Sequence, residues 1–102
     1  MTDFEERINR IAGHSSVGTL LIVNEQGRII TQRHKQTATP QPHTIANSIT
    51  DLALKARSVV RDINPMNDMT FFRVRAKKKE ILVAPDKHLF LIVIQENDQE
   101  QQ

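Results

Sequence analysis

The sequence has no cysteine, no tryptophan and no tyrosine, and only three of its 102 residues are glycine. Without cysteine there is no disulfide framework, no cysteine-ligated zinc and no thiol nucleophile. The three glycines are far apart and cannot form a phosphate-binding loop or a dinucleotide-binding fingerprint. The longest apolar run, residues 89–94, is far shorter than the roughly 20 residues of a membrane-spanning helix. These absences exclude several enzyme classes and predict that no segment inserts into a membrane.

The charges nearly cancel. Fourteen Lys and Arg against 12 Asp and Glu give a formal net charge of +2, which does not indicate a nucleic-acid-binding protein. The first seven residues mix acidic and basic side chains without an apolar core, so they predict no signal peptide. We expect a soluble, cytoplasmic protein with one domain over residues 1–96 and a polar, disordered tail at 97–102.

A short amphipathic helix is predicted at the start of the chain. Thr2 and Glu5 have the spacing of a capping box, which satisfies backbone N–H groups of the first helical turn. Gly13 is a typical stop at the other end. One apolar stripe repeats at helical spacing and comprises Phe4, Ile8, Ile11 and Ala12.

A hairpin is predicted next. Residues 17–23 and 28–33 have the composition of strands, and residues 24–27 form the turn between them. Gly27 is free to take a positive φ there. The second strand is more polar than the first, which favours a position at the edge of the sheet.

A long helix is predicted over residues 44–63, ending before the Asn64-Pro65 pair. Two N-caps are possible, namely Thr39 followed by Pro40, or Thr44. Leu54 falls on the polar face and is either a lone exposed residue or a contact with a second chain. The apolar stripe that should face the core comprises Ile45, Ile49, Leu52, Ala56, Val59, Val60 and Ile63.

Three further strands complete the domain. Residues 70–76 alternate apolar and polar side chains, and residues 80–84 form a fourth strand after a lysine-rich turn. Residues 89–94 have no polar side chain, so this strand must be covered on both faces and lie in the centre. The prediction is an α+β domain of order αββαβββ, with a five-stranded antiparallel sheet and one helix on each face.

The sequence offers no catalytic constellation. Ser15 and Ser16 lack the surroundings of a nucleophile elbow, and no acidic pair marks a cleft. No histidine has metal-ligand spacing to another, so we predict no catalytic residue, no cofactor and no metal. The histidines are His14, His34, His43 and His88.

Because the sequence has no catalytic or metal-binding pattern, we expect a module that binds other proteins. Strand 70–76 is half polar and can form a sheet edge, whose unpaired backbone groups can join another sheet. A two-fold pairing would bring this strand and the helix carrying Leu54 against their copies. One basic cluster either discourages aggregation at this edge or binds nucleic acid, and the absence of Tyr and Trp favours the first. It comprises Arg73, Arg75, Lys77, Lys78 and Lys79.

Several stretches of the chain resemble the roadblock family of dynein light chains. The resemblance covers most of the chain and is densest from residue 54 to residue 95. It is carried by residues 21–27, 55–65 (Lys-Ala-Arg-Ser-Val-Val-Arg-Asp-Ile-Asn-Pro), 67–68, 70–75 (Thr-Phe-Phe-Arg-Val-Arg), 80–87 and 91–95.

The resemblance implies a non-catalytic light chain of the dynein motor complex. The family forms homodimers whose sheets join through the third strand into one ten-stranded sheet, with the long helices side by side. It implies binding of the dynein intermediate chain, cargo linkage, microtubule-based transport and association with the cytoskeleton. A related roadblock light chain is a further possible partner.

Carried onto this sequence, the resemblance implies two sets of site residues. The intermediate chain would contact Phe4, Ile8 and Ile11. The dimer interface would comprise Leu54, Arg57, Ser58, Arg61, Thr70, Phe71, Phe72, Arg73, Val74 and Arg75.

The alternative is a roadblock-type scaffold or regulator of a small GTPase, as in other members of the wider superfamily. An activator would have to place a positive group at the developing charge of the nucleotide. Four arginines could supply this positive group, but nothing in the sequence places one of them to reach the nucleotide of a bound GTPase. They are Arg57, Arg61, Arg73 and Arg75.

Overall fold

The computed structural model describes residues 3–13, 17–34 and 41–96, and of residues 3–5 and 12 it describes the backbone only. The predicted order αββαβββ is confirmed. The helices are α1 (Asp3–Ala12) and α2 (Pro42–Ile63), and the strands are β1 (Val17–Asn24), β2 (Ile29–His34), β3 (Phe72–Arg75), β4 (Lys79–Asp86) and β5 (Leu89–Glu96). The predicted tail lies outside the described residues, as do Thr2, His14, Ser15 and Ser16.

The strands form one antiparallel sheet in the order β2-β1-β5-β4-β3. β5 is central and β2 is an edge, as their composition predicts. β3 is the other edge, and its four residues make it shorter than the predicted strand, with Thr70 and Phe71 preceding it. β4 runs two residues beyond its predicted end, to Asp86.

Two apolar clusters cover the two faces of the sheet, which confirms one helix on each face. α2 packs on the larger cluster, and α1 packs on the smaller one through Ile8, with Ile11 beside it. The larger cluster comprises Leu21, Val23, Ile45, Ala46, Ile49, Ala53, Met69, Val83, Phe90, Ile92 and Ile94. The smaller comprises Ile8, Val17, Leu20, Ile22 and Val93.

The turn between β1 and β2 is held by Asn24. Its side-chain Oδ1 accepts hydrogen bonds from the backbone N–H of Gln26 and of Arg28, each at 2.9 Å. Gly27 has φ 86°, a conformation that residues with a Cβ rarely adopt, and its N–H donates to the carbonyl of Asn24. The predicted role of Gly27 is confirmed.

α2 begins two residues before its predicted start. Gln41 is the N-cap and Pro42 is the first helical residue, so the prediction of Thr44 as a cap is wrong. Proline suits this position because its φ is already helical and it lacks the N–H that would be left unpaired. The other candidate, Thr39 with Pro40, lies outside the described residues. The helix ends at Ile63, as predicted from Pro65.

The core-facing side of α2 is rotated from the predicted stripe. Leu52, Val59 and Ile63 are 45%, 47% and 80% exposed, so their predicted burial is wrong. Ala46, Thr50 and Ala53 are buried in their place. The β1–β2 turn explains the rotation, because Gly27 lies against Ala46, Asn47 and Thr50 and covers that flank of the helix.

Candidate functional site

The exposed apolar flank of α2 lies toward the edge strand β3. Ser48 of α2 and Ile81 of β4 line one small cavity of about 180 Å³, and Val74 of β3 lies opposite Ile81 in the sheet register. Leu52 and Val59 follow Ser48 on the same flank, since they are four and eleven residues further along the helix. We call Leu52, Val59, Ile63 and Val74 the seam surface.

The free edge of β3 adjoins the seam surface. β3 is hydrogen-bonded to β4 on one side and ends the sheet on the other. The exposed Val74 and Phe71 show that no part of the described chain covers this edge. An unpaired row of backbone N–H and C=O groups beside apolar side chains is suited to pairing with another strand.

The predicted dimer residues lie on β3 and on α2, and those of β3 are divided between the two faces of the sheet. Phe72 and Val74 face the α2 side of the sheet, and Arg73 and Arg75 lie opposite Leu82 and Glu80 and so face the α1 side. The α2 residues of the prediction lie elsewhere, on the flank opposite the seam surface. Leu54, Arg57, Ser58 and Arg61 line a polar cleft with Glu25, Lys87 and His88.

The structure therefore does not bring Leu54 and its neighbours together with β3. Their contact with a second copy stays a prediction, as does that of Thr70, which is exposed just before the strand. Sequence reasoning missed Leu52, Val59 and Ile63. The signal was present, because the apolar residues of α2 span a wider arc than one buried face requires.

Arg57 holds the connection between α2 and β3 in place. Its Nε and Nη2 donate to the two carboxylate oxygens of Asp68 at 3.1 and 2.9 Å. Its guanidinium also lies 3.6 Å from Glu25 and 6.0 Å from the centre of the Phe90 ring. Arg61 donates a further hydrogen bond to Asp68 at 3.0 Å.

These contacts shift the pKa values of both partners. The hydrogen bonds from Arg57 are the main reason that the pKa of Asp68 is well below its usual range, and those from Met69 N–H and Arg61 add to it. The hydrogen bond to Asp68 raises the pKa of Arg57 in turn. Both groups therefore stay charged at neutral pH, and Arg57 acts as a structural clamp.

α1 covers part of its face of the sheet and leaves two apolar grooves over β4 and β5. The edge groove, of about 430 Å³, lies toward β3 and is lined by Ile11, Val17, Phe71, Arg73, Leu82, Leu91 and Val93, among others. The turn groove, of about 340 Å³, lies toward the β4–β5 turn and includes Ile8, Ile11, Pro85 and Leu89. Both grooves are lined by Ile11, Ala84 and Leu91, so they adjoin each other beside α1.

The residues predicted to contact an intermediate chain lie on α1. Ile8 is 4% exposed and mainly attaches α1 to the sheet, although it also lines the turn groove. Ile11 is half-buried and lines both grooves. The side chain of Phe4 lies outside the described residues. A partner contact through these residues stays a prediction.

The described residues hold no constellation that binds a metal. Within 3–13, 17–34 and 41–96, no three His, Asp or Glu side chains converge. His34 pairs with Thr19 at 2.9 Å, and the exposed His88 lies 3.9 Å from Glu25. No helix in this part of the chain has the length and apolar character to cross a bilayer.

Solved bacterial structures share this fold at low sequence identity. An MglB in a tetrameric arrangement is 10% identical, with 92% of this chain and 71% of that chain covered and a TM-score of 0.75. MglB of Myxococcus xanthus is 16% identical, with 93% and 74% covered and a TM-score of 0.69. A Roadblock/LC7 domain from Streptomyces avermitilis is 13% identical, with 81% and 68% covered and a TM-score of 0.70.

Sequence identities this low establish only that the fold is shared. A match to a family model rests on the amino-acid sequence and therefore shows membership of the family. The model of the Roadblock/LC7 domain matches residues 3–96, a range that holds every helix and strand of the structure. The chain therefore belongs to the Roadblock/LC7 domain family.

Proposed function

We propose that this chain is a non-catalytic binding platform that pairs with itself and acts as a scaffold or regulator of a small GTPase. The observation that carries the self-pairing is the seam surface beside the free edge of β3, and the role toward a small GTPase rests on membership of the roadblock family. A second copy that joins β3 to β3 would cover both features, and a two-fold axis would make the contact self-complementary. The same fold in an MglB with a tetrameric arrangement supports self-association.

The charges of the described residues favour a scaffold over an activator that donates an arginine. Arg57 and Arg61 are both bound to Asp68, and the Nε of Arg73 lies 2.7 Å from Glu80. Arg75 is exposed and makes no ion pair within the described part of the chain. An activator that inserts an arginine into the GTPase site would therefore have to use Arg75 or break one of these ion pairs.

A hydrolysis assay with candidate small GTPases tests this function. A scaffold should bind the GTPase, seen as an increase in mass by light scattering, without accelerating single-turnover GTP hydrolysis. An arginine finger accelerates hydrolysis by about a thousandfold or more. Acceleration that is lost in Arg75→Ala would replace the scaffold with an activator, and no binding to any small GTPase would refute the proposed function.

A second candidate function is a dynein light chain, and the residues that resemble that family favour it. Residues 55–65 cover the last turns of α2 and the two residues after it, and residues 70–75 contain β3. Residues 80–87 and 91–95 cover most of β4 and β5. These are the elements next to the seam surface and the edge groove. In this function the chain would bind the dynein intermediate chain in a microtubule-associated complex, alone or paired with a related light chain.

The two candidates are separated by titration with a labelled intermediate-chain segment. Saturable binding, measured by fluorescence anisotropy, would support the dynein light chain. If the protein has the mass of a dimer and does not bind the segment, the dynein function is excluded for this chain and the proposed binding platform remains. The mass must come from light scattering calibrated by refractive index, because the chain has no Trp or Tyr to absorb at 280 nm.

A further inference from the structure

β2 is the second free edge of the sheet, at the opposite side from β3. It is hydrogen-bonded to β1 on one side and ends the sheet on the other. The register with β1 skips Ile30, which is the extra residue of a bulge at the start of the strand. From Thr31 to His34 the register is regular. These four residues span about 13 Å of straight edge.

The described residues leave this edge open. Ile30 is 55% exposed, and Gln32 and Arg33 are exposed as well. Within 3–13, 17–34 and 41–96, β1 is the only strand that pairs with β2. The unpaired backbone N–H and C=O groups of such an edge can bind an extended chain as an additional strand.

Two arginines make the edge basic. Arg28 directly precedes β2 and Arg33 lies within it, and both side chains are exposed. Arg33 donates hydrogen bonds to the carbonyl of Gln32 at 3.0 Å and to the Oδ1 of Asn9 at 3.4 Å. Both acceptors are uncharged, and in the part of the chain that the structure describes neither arginine makes an ion pair. The edge therefore offers two uncompensated positive charges.

These charges select the kind of strand that fits. A second copy could offer its own β2 or its β3, and β3 carries Arg73 and Arg75. Like charges on neighbouring strands are unfavourable. At β3 the apolar seam surface can offset this repulsion, but Ile30 is the only exposed large apolar side chain of β2. An acidic chain fits the β2 edge better than another copy does.

We propose that β2 binds an extended acidic segment of a partner protein, which adds a sixth strand to the sheet. Backbone hydrogen bonds hold the segment, and its carboxylates pair with Arg28 and Arg33. The site lies across the sheet from the seam surface, so it stays free when two copies pair through β3. The inference goes beyond the proposed function, because it requires neither self-pairing nor a GTPase.

Two labelled eight-residue peptides test the charge. Both alternate Val with a charged residue, which is Glu in one and Lys in the other. Anisotropy titrations should show the Glu peptide binding about tenfold more tightly, because attractive cross-strand pairs replace repulsive ones. Arg33→Glu should remove this preference. The control is Lys78→Glu, an exposed charge reversal in the β3–β4 turn, which should leave both affinities within about twofold.

Two N-methylated forms of the Glu peptide test the added strand on the wild-type protein. Alternate residues of a strand direct their N–H groups to opposite edges. Methylating one alternate set therefore blocks pairing with β2, whereas methylating the other set leaves it intact, and the two forms should differ at least about tenfold in affinity.

Four results would overturn the proposal. They are no binding of either peptide, equal affinity for the Glu and Lys peptides, an unchanged preference in Arg33→Glu, and equal affinity for the two methylated forms. Light scattering on the same samples measures self-association separately. Charge-dependent binding by a monomer would uphold the acidic strand at β2 and refute the self-pairing.

Discussion

Arg57 donates two hydrogen bonds to the carboxylate of Asp68, at 3.1 and 2.9 Å, across the connection from α2 to β3. The Arg57 side chain is 15% exposed and lies over the Phe90 ring at 6.0 Å. Asp68 also accepts a hydrogen bond from the N–H of Met69, whose side chain is buried in the larger cluster. This contact thus fixes where the chain enters the edge strand.

Asp68→Asn should lower the melting temperature by a few degrees. The amide is uncharged and has one acceptor oxygen instead of two, so Arg57 keeps only the longer ion pair with Glu25, at 3.6 Å. The decrease should be modest because Asp68 is half-exposed and solvent screens the pair. Circular dichroism melts would measure it. The control is Asp62→Asn, which changes an exposed carboxylate on α2. An equal decrease in its melting temperature would show that the pair of Arg57 and Asp68 adds no specific stabilisation.

The same pair predicts a dependence of stability on acid. The pKa of Asp68 is lower in the folded protein than in the unfolded chain, mainly because of the hydrogen bonds from Arg57. The stabilisation is therefore complete above the unfolded-state pKa of about 3.9 and is lost as pH falls below it. Melting temperatures of the wild type and Asp68→Asn should converge below about pH 4. If the difference in melting temperature between the two proteins is the same at every pH, the ionised Asp68 carboxylate contributes nothing to stability.

Val59→Glu should give a folded monomer. Val59 is 47% exposed in the single chain, so the charge does not harm the fold, but it would be buried where two seam surfaces meet. The mass from light scattering over a range of concentrations measures the effect. Ile30→Glu is the matched control, since Ile30 is 55% exposed on the far edge of the sheet. If Val59→Glu keeps the wild-type mass, the seam surface is not the interface.

Leu54→Glu decides which flank of α2 meets a second copy. Leu54 is 38% exposed on the flank beside Glu25 and His88, away from Val74. If pairing uses the seam surface, this variant should keep the wild-type mass, and Val59→Glu should not. The opposite pattern would support the interface implied by the resemblance, with Leu54, Arg57, Ser58 and Arg61.

Gly27→Ala should destabilise the domain by about 1 kcal/mol or more, because a Cβ is strained at φ 86°. The added atom would also lie 3.3 Å from the Asn47 side chain and press on α2. Urea denaturation should show a lower midpoint with an unchanged slope. Gln26→Ala, in the same turn but exposed, should have little effect. Equal stability of the two variants would contradict the strain.

The sequence predicts those parts of the fold that depend on local chemistry. Six consecutive apolar residues at 89–94 place β5 in the centre, Pro65 ends α2, and Gly27 marks the hairpin turn. Each of these features follows from the conformation or burial that the residues themselves demand.

The surfaces could not be predicted in this way. Periodicity shows that Leu52, Val59 and Ile63 belong to an apolar arc, but not how much of the arc the β1–β2 turn leaves uncovered. The edge groove likewise depends on how much of the sheet the ten-residue α1 covers. Both are relations between distant elements, and no local pattern of residues encodes them.

The central place of β5 also determines when the domain can fold during synthesis. β1 pairs with β2 and β4 pairs with β3, but neither hairpin pairs with the other, and β5 lies between them. β5 follows the other four strands along the chain, so the hairpins remain separate until the ribosome has released residues 89–96. Long-range pairing of this kind slows folding and leaves strand edges open to other chains in the meantime.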